Sequence, residues 1–102
     1  MRSKLKSLGE AAATVKNGAR LVMSANIQRS PMAFLRELVR RGVRDLRVIG
    51  VVGGDLNIDF LVGAGAVGVV DTCSVTLGEF ARTGPNFARH VIAGKVRSLD
   101  NT

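Results

Sequence analysis

Two kinds of apolar segment alternate along the chain, and this alternation constrains the fold more than any other feature. Short runs rich in β-branched residues are typical of buried strands, and they lie at 20–25, 46–52, 67–75 and 95–99. Between these runs, apolar residues recur at the spacing of a helix. The alternation predicts an α/β fold with a mainly parallel sheet, right-handed crossovers and helices on both faces of the sheet.

Helix start and stop signals mark the helical segments. Ser7 and Glu10 form a capping-box pattern, Pro31 and Pro85 suit the first turn of a helix, and Asp55 can cap a further one. Each start is followed by a glycine that can end the helix, namely Gly18, Gly42, Gly63 and Gly94. We therefore expect four helices, joined to the neighbouring strands by short connections.

The length of the chain, 102 residues, corresponds to about one small domain. No repeat or linker divides it, so we expect a single domain over 1–102. The chain stops at Thr102, directly after a predicted strand and without a covering helix. We therefore expect the domain to be truncated at its carboxyl terminus and to be too small to enclose an active site alone.

Positive charge is in excess, with 15 Lys and Arg residues against 8 Asp and Glu residues. This balance makes nucleic acid the first partner to consider. However, the basic residues are spread along the chain, and the 4 Phe residues lie in apolar contexts that do not form stacking platforms. A basic solvated surface is favoured, and an acidic partner subunit or a phosphorylated small molecule would explain the same excess.

A single cysteine, Cys73, excludes an internal disulfide and indicates a reducing compartment, with the cytoplasm as the expected location. No signal-peptide pattern begins the chain, and the longest uncharged run, 60–70, is too short to span a membrane. Cys73 and His90 are the only residues that resemble a nucleophile and its base. We favour structural roles for both, with Cys73 buried in a strand and His90 at the edge of a helix.

The remaining motifs also have ordinary structural interpretations. Gly63, Gly65 and Gly68 satisfy the spacing of the dinucleotide-binding fingerprint, but a predicted helix precedes them and a strand follows, which reverses the order that the fingerprint needs. We interpret them as a helix stop and a strand entry. The carboxylates are interpreted as caps or solvated residues, except that Glu79, in a predicted loop, is ambiguous. No metal-ligand spacing occurs.

The polar loop 24–31 joins the carboxyl end of the first predicted strand to the helix that begins at Pro31. In an open parallel sheet, ligands bind at the carboxyl ends of the strands, where helix-start N–H groups can hold an anion. Further hydrogen-bond donors in the loop are Asn26, Gln28, Arg29 and Ser30. The alternative, in which the loop only connects two elements and Ser30 caps the helix, is nearly as compatible with the pattern.

The order of several segments resembles the α subunit of family I CoA-transferases, of the glutaconate CoA-transferase type. These segments read NGARLVM (17–23), PMAFLRELVRRG (31–42), RDLRV (44–48), GAGA (63–66) and PNF (85–87). The resemblance runs from about Leu5 to Val96. It implies an incomplete CoA-transferase α-type domain at the amino-terminal end of a longer one.

The resemblance also implies an activity, the movement of coenzyme A between carboxylic acids by two homologous α/β subunits or domains. A glutamate of the β-type partner subunit would attack the acyl-CoA thioester, giving an acyl anhydride and then a glutamyl-CoA thioester. No acid of this chain, Glu79 included, would be the nucleophile. Coenzyme A would be a substrate, and no cofactor would be bound permanently.

In this interpretation the chain contributes part of the crevice for acyl-CoA and the carboxylic acid, and no catalytic residue. Gln28 and Arg29 would hold a carboxylate or a polar group of CoA, with Asn26 as a neutral donor. The full set of expected substrate- and CoA-binding residues is Ser24, Ala25, Asn26, Gln28, Arg29, Gly53 and Gly54.

The family's α subunit has Gly-Phe or Gly-Gly-Phe where this chain has Ser24, Ala25 and Asn26. The loss of glycine restricts close approach of the backbone to a ligand. Three other functions therefore stay open: a subunit that hydrolyses CoA-bound rings, a noncatalytic basic module for nucleic acid or an acidic protein, and a decayed structural subunit.

Overall fold

The computed structural model describes residues 5–24 and 30–99, in which helices and strands alternate as predicted. The elements are α1 (Leu8–Ala13), β1 (Arg20–Ser24), α2 (Met32–Arg40), β2 (Leu46–Val51), α3 (Leu56–Gly63), β3 (Val67–Asp71), α4 (Pro85–Ile92) and β4 (Arg97–Leu99).

The strands form one parallel sheet in the order β1-β2-β3-β4. Ser24 at the end of β1 pairs with Val51 at the end of β2, and Ile49 pairs with Asp71 at the end of β3. The carboxyl ends of three strands therefore lie along one edge of the sheet. The predicted α/β class with a parallel sheet is confirmed.

The core lies between one face of this sheet and the helices. Along β2 burial alternates, with Leu46 and Val48 fully buried and Arg47 and Ile49 half-buried, as expected when one face is covered. The covering side chains include Leu35 and Leu38 of α2 and Ile58 of α3. Neighbouring helices contact one another in chain order, α1 with α2, α2 with α3 and α3 with α4.

The position of the helices differs from the prediction, which placed them on both faces of the sheet. Among the described residues the helices form one layer, and the opposite face exposes 61% of Val22 and 55% of Val51. The physical reason is the strand order. When successive parallel strands are added in one direction, crossovers of constant hand place their helices on the same side.

The local signals in the sequence explain most element boundaries. The Ser7 side chain accepts a hydrogen bond from Glu10 N–H at 3.1 Å, so it caps α1. The helices α2 and α4 are followed by Gly42 and Gly94 with positive φ, where glycine avoids the strain that other residues would have. Three boundaries are wrong by two residues or more: α1 ends at Ala13 and does not continue to Gly18, β3 ends at Asp71 and does not continue to Val75, and β4 begins at Arg97 and not at Lys95.

Candidate functional site

The segments that follow β2 and β3 remain side by side beyond the carboxyl edge of the sheet. Gly54 N–H donates to the Ser74 carbonyl at 2.8 Å, and Thr76 N–H donates to the Gly54 carbonyl at 3.1 Å. The Val51–Val52 peptide bond, where β2 ends, is cis. These contacts give the region beyond the strand ends a defined backbone, which is the first requirement of a binding site in an open parallel sheet.

Close backbone contacts require glycine at this edge. A Cβ atom added at Gly50 would lie 2.6 Å from both the Gly53 carbonyl oxygen and Thr72 Oγ1, far inside van der Waals contact. Thr72 Oγ1 lies 3.3 Å from the carbonyl oxygens of Val52 and Ser74 and therefore links the two segments. The glycines let the chain after β2 turn tightly against the chain after β3.

The start of α3 is the buried part of this region. Asp55, which is 5% exposed, accepts hydrogen bonds at Oδ1 from Asn57 N–H at 3.2 Å and from Ser30 Oγ at 3.3 Å. Asn57, which is 1% exposed, donates from Nδ2 to the Ser24 carbonyl at 3.0 Å. The beginning of α3 is thus bonded both to the end of β1 and to the residue before α2.

The structure brings three of the predicted binding residues to this edge. Ser24 ends β1, and Gly53 and Gly54 follow β2 next to Cys73 and Ser74. The other four, Ala25, Asn26, Gln28 and Arg29, lie outside the described residues. Ser30 does not cap α2 through its side chain, because the residue at the cap position is Pro31 and the Ser30 hydroxyl bonds to Asp55. The predicted contacts with a ligand remain predictions.

Cys73 does not lie where it was predicted. It is exposed in the loop after β3, where Sγ donates to the Val52 carbonyl at 3.2 Å, so the expectation of a thiol buried in a strand is wrong. His90 lies in the last turn of α4, with Nδ1 2.8 Å from the Asn86 carbonyl oxygen. A helix that connects parallel strands runs back along them, from the carboxyl ends to the amino ends. Cys73 therefore lies at the carboxyl ends of the strands, and His90 lies towards their amino ends.

One buried carboxylate was missed by the sequence analysis. Asp59, which is 3% exposed, accepts hydrogen bonds from Phe87 N–H at 2.8 Å and from Asn86 Nδ2 at 3.0 Å. It therefore caps α4 from α3, which is one of the two roles that the sequence analysis gave to such acids, although neither its burial nor its distant partner was predicted. Its only signal in the sequence is an acid within the apolar helix 56–62. No group of three or more His, Cys, Asp and Glu side chains in the described ranges could hold a metal ion.

The fold and this edge define a class, the α/β domains whose parallel strands end at a polar, glycine-rich edge. Within that class, residues 5–102 match the family model of coenzyme A transferase. The chain belongs to the coenzyme A transferase family. The resemblance noted from the sequence is thereby confirmed at the level of the family.

Two solved structures show how far the likeness extends. A variant of the decarboxylase AibA/AibB is 28% identical, with a TM-score of 0.78 over 95% of this chain and 38% of the matched chain. Glutaconate coenzyme A-transferase from Acidaminococcus fermentans is 25% identical, with a TM-score of 0.82 over 98% of this chain and 32% of the matched chain. The chain thus spans about a third of the length of the chains it matches.

Comparison with curated protein sequences gives no significant match. In the described part of the chain, no helix is long and apolar enough to cross a membrane.

Proposed function

We propose that this chain is the α-type, amino-terminal part of a CoA-transferase that moves coenzyme A between carboxylic acids. The observation that carries the proposal is the match of residues 5–102 to the coenzyme A transferase family. The matched chains are about three times as long, which supports the view that the chain is one part of a larger domain. A cytoplasmic location, expected from the single cysteine, is part of the proposal.

The proposed division of labour between the two subunits is the one that the resemblance to family I CoA-transferases implies. The carboxylates nearest the carboxyl edge are Asp55 and Asp71, and each already accepts a hydrogen bond from a neighbouring side chain, Ser30 and Arg47 respectively. In the family that the chain resembles, the nucleophilic glutamate lies on the β subunit, and on that ground we assign it to a β-type partner subunit. This chain supplies one wall of the crevice, with coenzyme A as a substrate and no permanently bound cofactor.

Ser24, Gly53 and Gly54 form the described part of the proposed binding wall, and Ala25, Asn26, Gln28 and Arg29 complete it. Gly53 is half-buried and has no side chain to keep a ligand away from its backbone, whereas Gly54 is buried and its N–H and carbonyl are bonded to Ser74 and Thr76. Arg29 and Gln28 would bind the carboxylate or a polar group of CoA through charged and neutral hydrogen bonds. The positive charge of the chain favours the approach of an anionic thioester.

The test is to co-express the chain, within the polypeptide that contains it, with the β-type subunit, and to assay CoA transfer from an acyl-CoA to a free carboxylate. We expect transfer that is lost when the partner's glutamate is replaced by glutamine. Arg29→Gln should raise KM by about tenfold. The matched control, Arg36→Gln on the exposed side of α2, should leave KM unchanged.

Other outcomes of the same experiment distinguish the alternatives. Release of free CoA without transfer would indicate a hydrolase, and release of CO2 would indicate a decarboxylase, the activity named for one matched structure. Absence of a complex, together with binding to random DNA that weakens steeply with salt, would indicate a basic binding module and would contradict the proposal.

A further inference from the structure

One buried side chain joins the end of β1 to the start of α3, beside the proposed binding wall. Asn57 is 1% exposed, and its Nδ2 donates to the Ser24 carbonyl oxygen across 33 residues of sequence at 3.0 Å. Its Oδ1 accepts from Asp55 N–H at 3.2 Å and from Ile58 N–H at 2.6 Å. The amide thus bonds on one side to the end of β1 and on the other to the segment that carries Gly53 and Gly54.

These hydrogen bonds have two separable parts. The bonds at Oδ1 satisfy backbone N–H groups at the start of α3, which is the ordinary task of a capping side chain. The bond from Nδ2 contributes nothing to that cap, because its acceptor belongs to β1. It adds a second connection between the end of β1 and the segment after β2, beside the pairing of Ser24 with Val51 in the sheet. A carboxylate has no donor for this bond, and a serine hydroxyl is too short to make both sets of contacts.

We propose that Asn57 is a positioning residue, which holds Ser24 at the end of β1 against the segment that carries Gly53 and Gly54 and so sets the width of the proposed binding crevice. The inference rests on the proposed function, because it assigns this width to the binding of acyl-CoA and acid. Asn57 itself is buried and does not touch the substrate. Displacement of a binding wall by about 1 Å is sufficient to lower the efficiency of an enzyme about a hundredfold.

The test compares Asn57→Asp with a control substitution at another buried polar residue of α3. Asn57→Asp keeps the acceptor oxygen that caps α3 and removes the donor to Ser24. The control, Asp59→Asn, weakens the buried contact between α3 and α4 and leaves the Ser24 contact intact. In Asn57→Asp the new carboxyl group lies beside that of Asp55, and the two charges could prevent folding. Asn57→Ser therefore provides a second variant that adds no charge.

The first readout is kinetic and uses the complex with the β-type subunit. We expect Asn57→Asp and Asn57→Ser to raise KM for acyl-CoA by about tenfold, and Asp59→Asn to lower the melting temperature with KM within about twofold of the unchanged protein. Equal changes in KM for Asn57 variants and the control would overturn the proposal, because Asn57 would then act only through stability.

The second readout needs no activity and separates this inference from the proposed function. In hydrogen exchange, the Asn57 variants should speed exchange of the backbone amides of β1 (20–24) by about tenfold. The control, Asp59→Asn, should instead speed exchange in α4 (85–92). Failure of CoA transfer in the unchanged complex would contradict the proposed function alone. Unchanged exchange at 20–24 in the Asn57 variants would contradict the positioning role, whatever the activity.

Discussion

At the scale of single residues, Asp59 replaces a cap that α4 does not supply for itself. The residue before α4 is Gly84, which has no side chain to accept a hydrogen bond from the first N–H groups. The carboxylate of Asp59 accepts from Phe87 N–H instead, at the positive end of the helix. One side chain therefore both satisfies a helix end and joins α3 to α4.

Removal of this carboxylate should destabilise the fold. Asp59→Ala leaves Phe87 N–H and Asn86 Nδ2 without their acceptor in a partly buried place, so we expect the free energy of unfolding to fall by about 1–3 kcal/mol. Urea unfolding followed by circular dichroism would measure it. Glu79→Ala, at an exposed loop acid, is the control and should change stability by less than about 0.5 kcal/mol. Equal effects would show that Asp59 is not a structural cap.

Gly50 is a second residue whose role depends on its surroundings. Gly50→Ala would place a methyl group 2.6 Å from the Gly53 carbonyl oxygen, which is backbone and cannot move without opening the turn. We expect a loss of about 1–3 kcal/mol in the free energy of unfolding. The matched control is Gly9→Ala in α1, where nothing lies within 4 Å of the added atom. It should be neutral or stabilise by about 0.5–1 kcal/mol, and a comparable loss there would contradict the account.

The roles of Asn57, Asp59 and Thr72 could not be predicted from the sequence. Each bonds to groups that lie far away along the chain, such as Ser24 for Asn57, at a separation of 33 residues, or Phe87 for Asp59, at a separation of 28. Asp55 was predictable as a cap, because its partner Asn57 lies 2 residues away. Local chemistry is visible in a sequence, whereas contacts between elements require the fold.

At the scale of elements, α2 shows how an amphipathic helix packs against the core. Leu35 and Leu38 are fully buried on one side, while Arg40 on the other side pairs with Glu37 at 2.8 Å and is largely exposed. The stability of the helix in the fold should therefore come from its apolar side.

Substitutions on the two sides of α2 should differ in effect. Leu38→Ala should lower the free energy of unfolding by about 2–5 kcal/mol, because it leaves a cavity in the core. Arg40→Ala should lower it by less than about 1 kcal/mol, since an exposed ion pair contributes little. Guanidinium unfolding would measure both, and a larger effect at Arg40 than at Leu38 would contradict the assignment of sides.

Element positions were predictable where the chain itself contains the signal. The cap at Ser7 and the glycine stops at Gly42 and Gly94 mark helix ends without reference to the rest of the molecule. The end of β3 was not predictable, because the apolar and small residues continue to Val75. Pairing with β2 and β4 ends at Asp71, and only an isolated bridge between Gly54 and Val75 follows.

At the scale of the whole molecule, the two faces of the sheet differ. One face carries the helices, and the other exposes a surface that includes Val22, Val51 and the ion pair of Arg47 with Asp71 at 2.9 Å. The sequence analysis expected both faces to be covered, because the strand runs are apolar on both sides. A run of apolar residues shows that a strand suits burial, but it does not show which side the helices take.

The open face should bind apolar molecules without supporting the fold. The double variant Val22→Thr with Val51→Thr should lower the fluorescence of a bound hydrophobic dye by about half. Its free energy of unfolding should change by less than about 1 kcal/mol. Val48→Thr, the same substitution at a fully buried position of β2, is the control and should destabilise by about 1–3 kcal/mol. Unchanged dye binding in the double variant would contradict the account.

The strand order also has a consequence for how the chain acquires its structure. Among the described strands, β1, β2 and β3 are each hydrogen-bonded to the strand that comes next in the sequence, so none of these pairings has to wait for a more distant segment. Folding is faster when contacts form between nearby parts of the chain, and nascent chains begin to fold from the amino terminus. The unit β1-α2-β2 can therefore assemble first during synthesis, and each later strand then finds its neighbour already in place.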